Sequence, residues 1–321
     1  MTRHVGRLLL VIVIAAGALA ATLAARQEKE PTFPDALIGR WDLTVQGATG
    51  PYPSWLHVHM RTDTTLQAEF VGRFGSVRSA TVAEWANDQL TVVIPIQYES
   101  NKSDMKFVGK LVGPTLTGTT EDEKGTTLNW TAMRAPESTP IKTVTWGTPI
   151  PLLNKSDLGG WKQRSTAKGT CWTVTDGVLS NVPPCADLIT EKVFTDFKVH
   201  VELMYPAHSN SGVYLRGRYE AQIQDDYGKT LDAHRMGGIY GFLSPYVNAV
   251  KPAGEWQAYD ITLIGRRVTV VLNGQTVIDN EIIPGITGGA IDSLEAAAGP
   301  LMLQGDHGKI SFRNVTVTPA K

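Results

Sequence analysis

Side chains between Val213 and Gln224 alternate between apolar and polar, and this alternation constrains the fold more than any other feature of the chain. In an extended strand one face presents the apolar residues Val213, Leu215, Tyr219, Ala221 and Ile223. The other face presents cations, a carboxylate and amides from Arg216, Arg218, Glu220, Gln222 and Gln224. We therefore predict a half-buried strand whose polar face suits a polyhydroxylated ligand. An ordinary solvated sheet face is the alternative.

Length and charge restrict the class of protein. The chain has 321 residues, of which 42% are hydrophobic, and this predicts a globular protein with two domains. The formal net charge is −1 and no block of lysine and arginine stands out, which disfavours a nucleic-acid partner. A small neutral sugar is the predicted partner, and the oligomeric state is left open.

The N-terminal segment has the pattern of an export signal. Arg3 and Arg7 precede the apolar run 8–21, and small residues follow it. We predict that residues 1–25 are a signal peptide, that the mature protein is periplasmic or secreted, and that it has no stable membrane insertion after cleavage. An uncleaved membrane anchor is the alternative. In an oxidising compartment Cys171 and Cys185 are expected to form a disulfide, with two buried free thiols as the alternative.

Short strand patterns at close spacing predict an all-β chain. Residues 33–134 are predicted to form a small β-barrel domain, residues 135–147 a linker rich in Pro, Ser and Thr, and residues 148–321 a jelly-roll β-sandwich. Asn273-Gly274 predicts a tight hairpin turn. The clearest predicted strands are Leu66–Val71, Gln89–Ile96, Lys106–Val112, Leu128–Arg134, Phe197–Leu203, Val213–Ile223, Tyr259–Ile264, Val268–Leu272, Leu301–Gln304 and Ile310–Val317.

Two features of the first domain bear on its architecture and chemistry. Gly39-Arg40-Trp41 near its start and Arg134 near its end resemble the ends of lipocalin-like barrels, where an early Trp packs under a late Arg. His57 and His59 share a strand face and could ligate a metal ion. An exposed or hydrogen-bonded pair is the favoured interpretation, because no carboxylate or cysteine stands at ligand spacing nearby.

Motifs spread over the second domain carry a family resemblance. They include Asn210-Ser211-Gly212-Val213-Tyr214-Leu215-Arg216-Gly217, Glu220-Ala221-Gln222-Ile223, Pro252-Ala253-Gly254-Glu255-Trp256 and Leu303-Gln304-Gly305-Asp306-His307-Gly308. In their order the domain resembles the 3-keto-disaccharide hydrolase family, a concanavalin-like sandwich, over residues 150–319. Gln224 stands where relatives commonly carry an apolar residue, and Gln257 where they frequently carry Asn. These departures indicate a different substrate preference.

The resemblance implies cleavage of glycosides that carry a ketone at C3 of the sugar. The ketone acidifies the C2 proton, its removal gives an enolate that expels the C1 substituent, and water can add afterwards. Glu220 is the expected base or acid, His307 the second proton-transfer group and Arg216 the cation facing the enolate. The predicted substrate-binding residues are Gln222, Gln304, Asp306, Arg218, Asp225, Glu255 and Trp256. A plain turn between strands is the alternative for residues 304–308.

No cofactor is predicted, but a divalent metal ion held by Glu220, Asp225, His234 and His307 stays open as an alternative. Two other functions compete with the 3-keto reaction. One is a non-catalytic, lectin-like carbohydrate-binding protein on the same fold. The other is a two-carboxylate glycosidase, which is disfavoured because Glu220 and Asp225 have opposite parity on a strand, whereas a retaining pair faces one site about 5 Å apart.

Overall fold

A computed structural model of the protein describes residues 33–62, 65–137, 143–165 and 171–321. The predicted signal peptide and the middle of the predicted linker lie outside these ranges. Residues from Phe33 to Lys321 form one unit, and within the described ranges its regular structure is β-sheet apart from a short 3-10 turn at Asp35–Leu37. The predicted all-β, jelly-roll fold class is therefore confirmed. In the part of the chain that the structure describes, no helix is long and apolar enough to cross a membrane.

The first part of the unit is a nine-stranded antiparallel sheet. Its strands are β1 (Gly39–Gly47), β2 (Gly50–Thr62), β3 (Thr65–Val71), β4 (Arg78–Ser79), β5 (Val82–Ala86), β6 (Gln89–Ile94), β7 (Met105–Val112), β8 (Thr115–Glu121) and β9 (Thr127–Arg134). The spatial order is β4-β3-β2-β1-β9-β8-β7-β6-β5. Because β3 also contacts β5, from the opposite end of this order, the sheet curls around its own apolar core.

The first and last strands of this sheet along the chain, β1 and β9, pair with each other, and their Trp and Arg meet as the sequence predicts. The Arg134 guanidinium lies 4.0 Å from the centroid of the Trp41 ring, and it donates a hydrogen bond of 2.6 Å to the carbonyl of Ile38. The Trp41 indole in turn donates to the carbonyl of Leu37 at 3.0 Å. A buried indole thus keeps its polar N–H paired while the late Arg covers its face.

The second part is a sandwich of two antiparallel sheets. The larger sheet has eight strands: β10 (Ile150–Pro151), β12 (Trp172–Thr175), β13 (Val178–Asn181), β15 (Phe197–Met204), β18 (Gln257–Ile264), β19 (Arg267–Leu272), β20 (Gln275–Ile282) and β22 (Ser311–Pro319). The smaller has five: β11 (Trp161–Gln163), β14 (Leu188–Phe194), β16 (Asn210–Leu215), β17 (Tyr219–Gln224) and β21 (Gly299–Leu303). Alternate residues of both sheets, such as Tyr259 and Val270 from one and Leu215 and Leu303 from the other, share one core.

The predicted single strand Val213–Ile223 is wrong, because the chain reverses in its middle. Strands β16 and β17 form a hairpin in which Tyr214 pairs with Glu220. At the turn Arg216 has φ 53° and Gly217 has φ 67°, the left-handed conformation that a tight hairpin turn requires. The alternation survives within β17, where Tyr219 enters the core and Glu220 faces the other way. Arg216 and Arg218 instead belong to the turn.

Two smaller predictions are confirmed. The β19–β20 hairpin turns at Asn273 and Gly274, with φ 52° and 80°. Cys171 and Cys185 form a disulfide with a Cα–Cα distance of 5.6 Å.

Reduction of this disulfide is expected to lower the free energy of unfolding by about 3 kcal/mol, because the bond closes a loop of roughly 15 residues in the unfolded chain. Denaturant titration with and without a thiol reductant measures the change. A double variant with Cys171→Ser and Cys185→Ser should unfold like the reduced protein and ignore the reductant. An unchanged unfolding midpoint for the reduced wild type contradicts the prediction.

The first sheet packs directly on the sandwich. Trp55 on β2 enters the sandwich core and meets Phe242 edge-on, with ring centroids 5.4 Å apart. A Cβ at Gly285 would lie 2.3 Å from the Trp55 ring, so only glycine allows this approach. The Gly289 N–H donates to the carbonyl of Arg73 at 2.9 Å. These contacts fix the loop after β3 beside the five-stranded sheet.

Candidate active site

A cavity of about 430 Å³ lies where the five-stranded sheet meets loops of the first sheet. The sandwich contributes Asn210, Tyr214, Glu220, Gln222, Tyr240, Gly288, Gly289, Gln304 and His307 to its wall. The first sheet contributes Phe74, Gly75 and Tyr98. The volume falls in the range of small-molecule sites, and the wall mixes aromatic rings with convergent polar groups.

Glu220 on β17 is the central acidic group of the cavity. Its residue is only 4% exposed, and a carboxyl oxygen lies 2.9 Å from the hydroxyl of Tyr214 on the neighbouring strand. Gly212 on β16 makes room for this carboxyl, since a Cβ there would lie 2.3 Å from Glu220 Oε1. The glycine in the NSGVYLRG motif is therefore a requirement of the site.

Burial raises the pKa of Glu220 to about 8, and the negative charges of Asp187 and Asp306 act in the same direction. The hydrogen bond from Tyr214 and the charge of His307 oppose the shift. A carboxyl with such a pKa exchanges protons near neutral pH, which is the property that a general base or acid needs.

The Tyr214 hydroxyl lies 2.9 Å from Glu220 Oε2 and 2.9 Å from the carbonyl oxygen of Gly288. A hydroxyl has one proton, so it cannot donate fully to both acceptors. When Glu220 is protonated, its own O–H can donate to Tyr214, which then donates to Gly288. When Glu220 is ionised, Tyr214 donates to the carboxylate. Both protonation states of Glu220 thus have a partner.

Replacing Tyr214 by Phe is expected to raise the pKa of Glu220 further, because burial remains and the hydrogen bond that lowers the pKa is lost. If activity requires the carboxylate form, the rising limb of kcat/KM against pH moves to higher pH. Steady-state kinetics measured across pH locate this limb. Tyr246→Phe, whose hydroxyl bonds Glu281 outside the cavity, should leave it in place. An unmoved limb in Tyr214→Phe contradicts the pairing.

His307 enters the cavity from the loop between β21 and β22. Its Nδ1 lies 2.5 Å from Asp306 Oδ1, and this hydrogen bond together with the carboxylate charge raises the pKa of the imidazole. Glu220 also acts on the imidazole through its charge. The cavity therefore holds a carboxyl whose pKa is raised to about 8 and an imidazole whose pKa is raised above its ordinary value.

Three amide side chains, from Asn210, Gln222 and Gln304, complete the polar wall. Gln304 Nε2 lies 3.5 Å from the Tyr214 hydroxyl, while its Oε1 is buried without a hydrogen-bond partner in the described ranges. Gln222 on β17 lies beside Gln224, to which it donates at 3.4 Å. An unpaired acceptor in a cavity wall is costly unless a ligand satisfies it, which fits a hydroxyl-rich ligand.

The structure places the two predicted arginines outside the cavity wall. Arg216 is buried at the turn, where it donates to the carbonyl of Gly265 at 2.7 Å and packs on Tyr219. Arg218 forms a bidentate pair with Asp292 at 2.6 and 3.1 Å. The reason is the hairpin turn. The row of polar side chains runs along β17, and Arg216 and Arg218 lie in the turn before that strand.

Three predicted substrate-binding residues also lie away from the cavity wall. Asp225, beyond the end of β17, accepts a hydrogen bond of 2.9 Å from the N–H of His208. Glu255 is exposed in a turn, and Trp256 lies under the guanidinium of Arg313 at 3.9 Å. Glu220, Gln222, Gln304 and His307 are brought together, and Asp306 lies next to His307.

Sequence reasoning missed several residues of the site. Tyr214 lies on the polar face once β16 and β17 are recognised as a hairpin. Asp187 accepts a hydrogen bond of 3.0 Å from the N–H of Gly305 and pairs with Arg164 at 3.4 Å, so it holds the loop that carries His307. Phe74 and Tyr98 come from a different sheet, and no local pattern connects them with the site.

Among the described residues, one group of three side chains has metal-ligand geometry: His57, His59 and Glu69, with donor atoms within 4.8 Å of one another. No carboxylate stands at ligand spacing near the two histidines in the sequence, but the β2–β3 register places Glu69 opposite His57, within hydrogen-bond distance. Glu220, Asp225, His234 and His307 do not form such a group in the described ranges.

Comparison with known proteins gives one family and several solved structures. A family model described as a 3-keto-alpha-glucoside-1,2-lyase-like domain matches residues 148–318. A proposed glycosyl hydrolase of Parabacteroides distasonis is 30% identical, covers 57% of this chain and 93% of its own, and has a TM-score of 0.44. A second one from the same organism is 26% identical, with 54% and 100% covered and a TM-score of 0.43.

The carbohydrate-binding module CBM66 of Bacillus subtilis is also similar, at 15% identity, with 49% of this chain and 94% of its own covered and a TM-score of 0.35. No curated protein matches the chain.

Proposed function

Because the chain belongs to the 3-keto-alpha-glucoside-1,2-lyase-like family through residues 148–318, we propose that it cleaves glycosides oxidised to a ketone at C3 of the sugar. Family membership places the protein among carbohydrate-processing, glycosyl-hydrolase-like enzymes. The observation that supports the finer reaction is the cavity in which buried Glu220 meets Tyr214 and His307. An elimination needs a base with a pKa near neutrality, and Glu220 has one.

The first half of the proposed reaction breaks the glycosidic bond. Ionised Glu220 removes the proton from C2, and the electron pair forms an enolate with the C3 oxygen. When the C3 ketone forms again, the pair makes a C1–C2 double bond and the C1–O bond breaks. His307, as imidazolium, gives its proton to the leaving oxygen. The amides of Asn210, Gln222 and Gln304 are neutral donors available to the enolate oxygen.

The second half adds water to the unsaturated 3-keto sugar. Neutral His307 takes a proton from water as the oxygen attacks C1, and protonated Glu220 returns its proton to C2. Both groups end in the state in which they started, so the sum of the two halves is hydrolysis. Release of the unsaturated sugar before water adds would make the same site a lyase.

One substrate comparison tests this function. The purified protein should convert a 3-keto-glucoside and leave the unoxidised parent glucoside intact, as followed by NMR of both sugars. Binding of both sugars without turnover of either would favour the lectin-like alternative. Cleavage of the parent would favour an ordinary glycosidase, although the cavity wall has Glu220 as its sole carboxylate among the described lining residues.

We also propose that the protein acts in the periplasm or outside the cell, on a small sugar and without a nucleic-acid partner. The disulfide supports this location, since such bonds persist in oxidising compartments. Mass spectrometry of the protein from its native host should find a mature N-terminus near residue 26. A full-length chain in the cytoplasmic fraction contradicts export.

A further inference from the structure

One wall of the cavity comes from outside the family domain. Phe74 and Gly75 follow β3 of the first sheet and Tyr98 follows β6, whereas the family match begins at residue 148. Phe74 is 55% exposed and Tyr98 is 65% exposed, although both are large aromatic residues. Exposed rings that border a cavity are a common means of ligand binding.

The two loops that carry these rings are tied to each other. Arg78 forms an ion pair with Glu99 and donates to Gln97 Oε1 at 3.0 Å. Gln97 also accepts from the N–H of Ser76 at 3.0 Å, and Glu99 accepts from the N–H of Tyr98 at 3.2 Å. These contacts join the loop of Phe74 to the loop of Tyr98, so the two loops form one wall of the cavity.

The same wall is held against the sandwich. A Cβ at Gly288 would lie 2.2 Å from the carbonyl oxygen of Gly75, so the two backbones are in direct contact. Tyr98 also reaches Tyr240 across the cavity. Burial is the largest cause of the raised pKa of Tyr240. The charge of Tyr98 and its hydrogen bond with Tyr240 raise this pKa further. The first sheet thus closes one side of the site.

Polarity and depth divide the cavity into two regions. Glu220, Gln222 and Gln304 are 4%, 2% and 9% exposed, so the base and two amides lie deep on the sandwich side, whereas His307 is exposed. The wall from the first sheet contributes two aromatic rings and a glycine, with no charged group, and both rings are open to solvent. A sugar whose C2 meets the buried Glu220 has room for its C1 substituent on the open side, where the two exposed rings lie.

We propose that Phe74 and Tyr98 form the subsite for the leaving group and that they select glycosides whose leaving group is a ring, either a second sugar or an aryl group. This proposal rests on the proposed 3-keto-glycoside cleavage. Aromatic faces stack on the flat faces of both kinds of ring, and a methyl group offers no such face. The first sheet is then part of the active site and contributes to its specificity.

The test compares three 3-keto-glucosides that carry a methyl, an aryl and a glucosyl leaving group. Tyr98→Ala and Phe74→Ala should each lower kcat/KM by roughly tenfold for the two ring substrates, as expected for loss of a stacking contact. The methyl substrate should change less than about twofold. Tyr227→Ala removes an equally exposed tyrosine that does not line the cavity, and it should affect none of the three. If the two substitutions slow only the glucosyl substrate, the subsite binds sugars. If they slow only the aryl substrate, it binds aryl groups.

Equal losses for all three substrates, or none, overturn the subsite. A parallel binding measurement separates this outcome from failure of the proposed reaction. Dissociation constants of the unoxidised aryl and methyl glucosides, measured by NMR titration, should differ in the wild type and converge in Tyr98→Ala. If no 3-keto substrate is turned over but this convergence is observed, the reaction is wrong and the subsite stands.

A different observation concerns the outer side of the first sheet. His57 and His59 lie on one face of β2, with ring centroids 4.8 Å apart, and His57 Nδ1 lies 3.4 Å from Glu69 Oε2. His59 Nε2 is buried and has no hydrogen-bond partner in the described ranges. Two imidazoles, a carboxylate and an unpaired nitrogen are the components of a metal site that keeps a coordination position for water.

We infer that His57, His59 and Glu69 bind a divalent transition metal ion of the zinc type. Calorimetric titration of chelator-treated full-length protein with zinc chloride should show one site, and His59→Ala should lower its affinity by about tenfold or more. His200→Ala is the matched control, because His200 pairs with Asp260 at 2.7 Å and belongs to no ligand group among the residues that the structure describes. No binding by the wild type, or unchanged binding by His59→Ala, overturns the site.

Discussion

Glu220→Gln lowers kcat for a 3-keto-glycoside by roughly a hundredfold or more, which is the scale of a lost general base. The amide keeps the shape of the carboxyl and a partner for the Tyr214 hydroxyl, but it cannot take the C2 proton. Because C2–H removal precedes departure of the C1 substituent, the loss should be similar for good and poor leaving groups. Rates on nitrophenyl and methyl 3-keto-glucosides measure this.

Hydrogen exchange at C2 provides a second readout for Glu220. In D₂O the wild type should exchange the C2 proton of 3-keto-glucose, whose C1 substituent is a hydroxyl and which carries no leaving group other than water, and Glu220→Gln should not. Glu255→Gln is the control, since that carboxylate is exposed and lies outside the cavity wall. If Glu220→Gln exchanges the C2 proton as fast as the wild type, another residue is the base. The family assignment does not depend on this result.

Glu220→Gln should also stabilise the fold at pH values above the acidic range. Burial raises the folded pKa of Glu220 from 4.5 to about 8, so the folded state holds a proton that the unfolded state has lost between these values. Stability therefore falls as pH rises through this window, and Gln removes the penalty. A melting temperature in Glu220→Gln at or above that of the wild type at neutral pH shows that lost activity is not lost folding.

The alternation in Tyr219–Gln224 predicts correctly which side chains enter the core, because a strand has a period of two whatever its neighbours. The turn before it was missed, since Arg216 at positive φ has none of the Asn-Gly chemistry that signals a hairpin. Its conformation is held by packing on nearby Tyr219 and by a hydrogen bond to the carbonyl of Gly265, and the second of these contacts is one that the local sequence does not contain.

Long-range pairing accounts for the other omissions. Tyr98 and Tyr240 are far apart in sequence and meet only because the first sheet packs on the sandwich. Glu69 reaches His57 through the register of β2 and β3. The family resemblance identified His307 and Gln304 through their shared motif, but it could not indicate that a separate sheet supplies one wall of the cavity.

His307→Ala is expected to lower kcat by roughly a hundredfold on a substrate with a poor leaving group, because an unassisted alkoxide must then depart. The loss should shrink on a nitrophenyl substrate, whose leaving oxygen needs little help from an acid. C2 exchange in D₂O should persist, since Glu220 is intact. Glu220→Gln should thus lose C2 exchange and slow all leaving groups equally, whereas His307→Ala should keep C2 exchange and slow poor leaving groups most. Both variants are compared on the same substrates.

The pH profile completes the test of His307. Asp306 raises the pKa of the imidazole, so the wild type keeps the acid form to higher pH than a free histidine does. The falling limb of kcat/KM reports loss of that proton and should disappear in His307→Ala. In Asp306→Asn it should move to lower pH, because the hydrogen bond and charge that hold the proton are weakened. A falling limb unchanged in both variants, with equal losses for every leaving group, would reduce His307 to a structural residue of the loop.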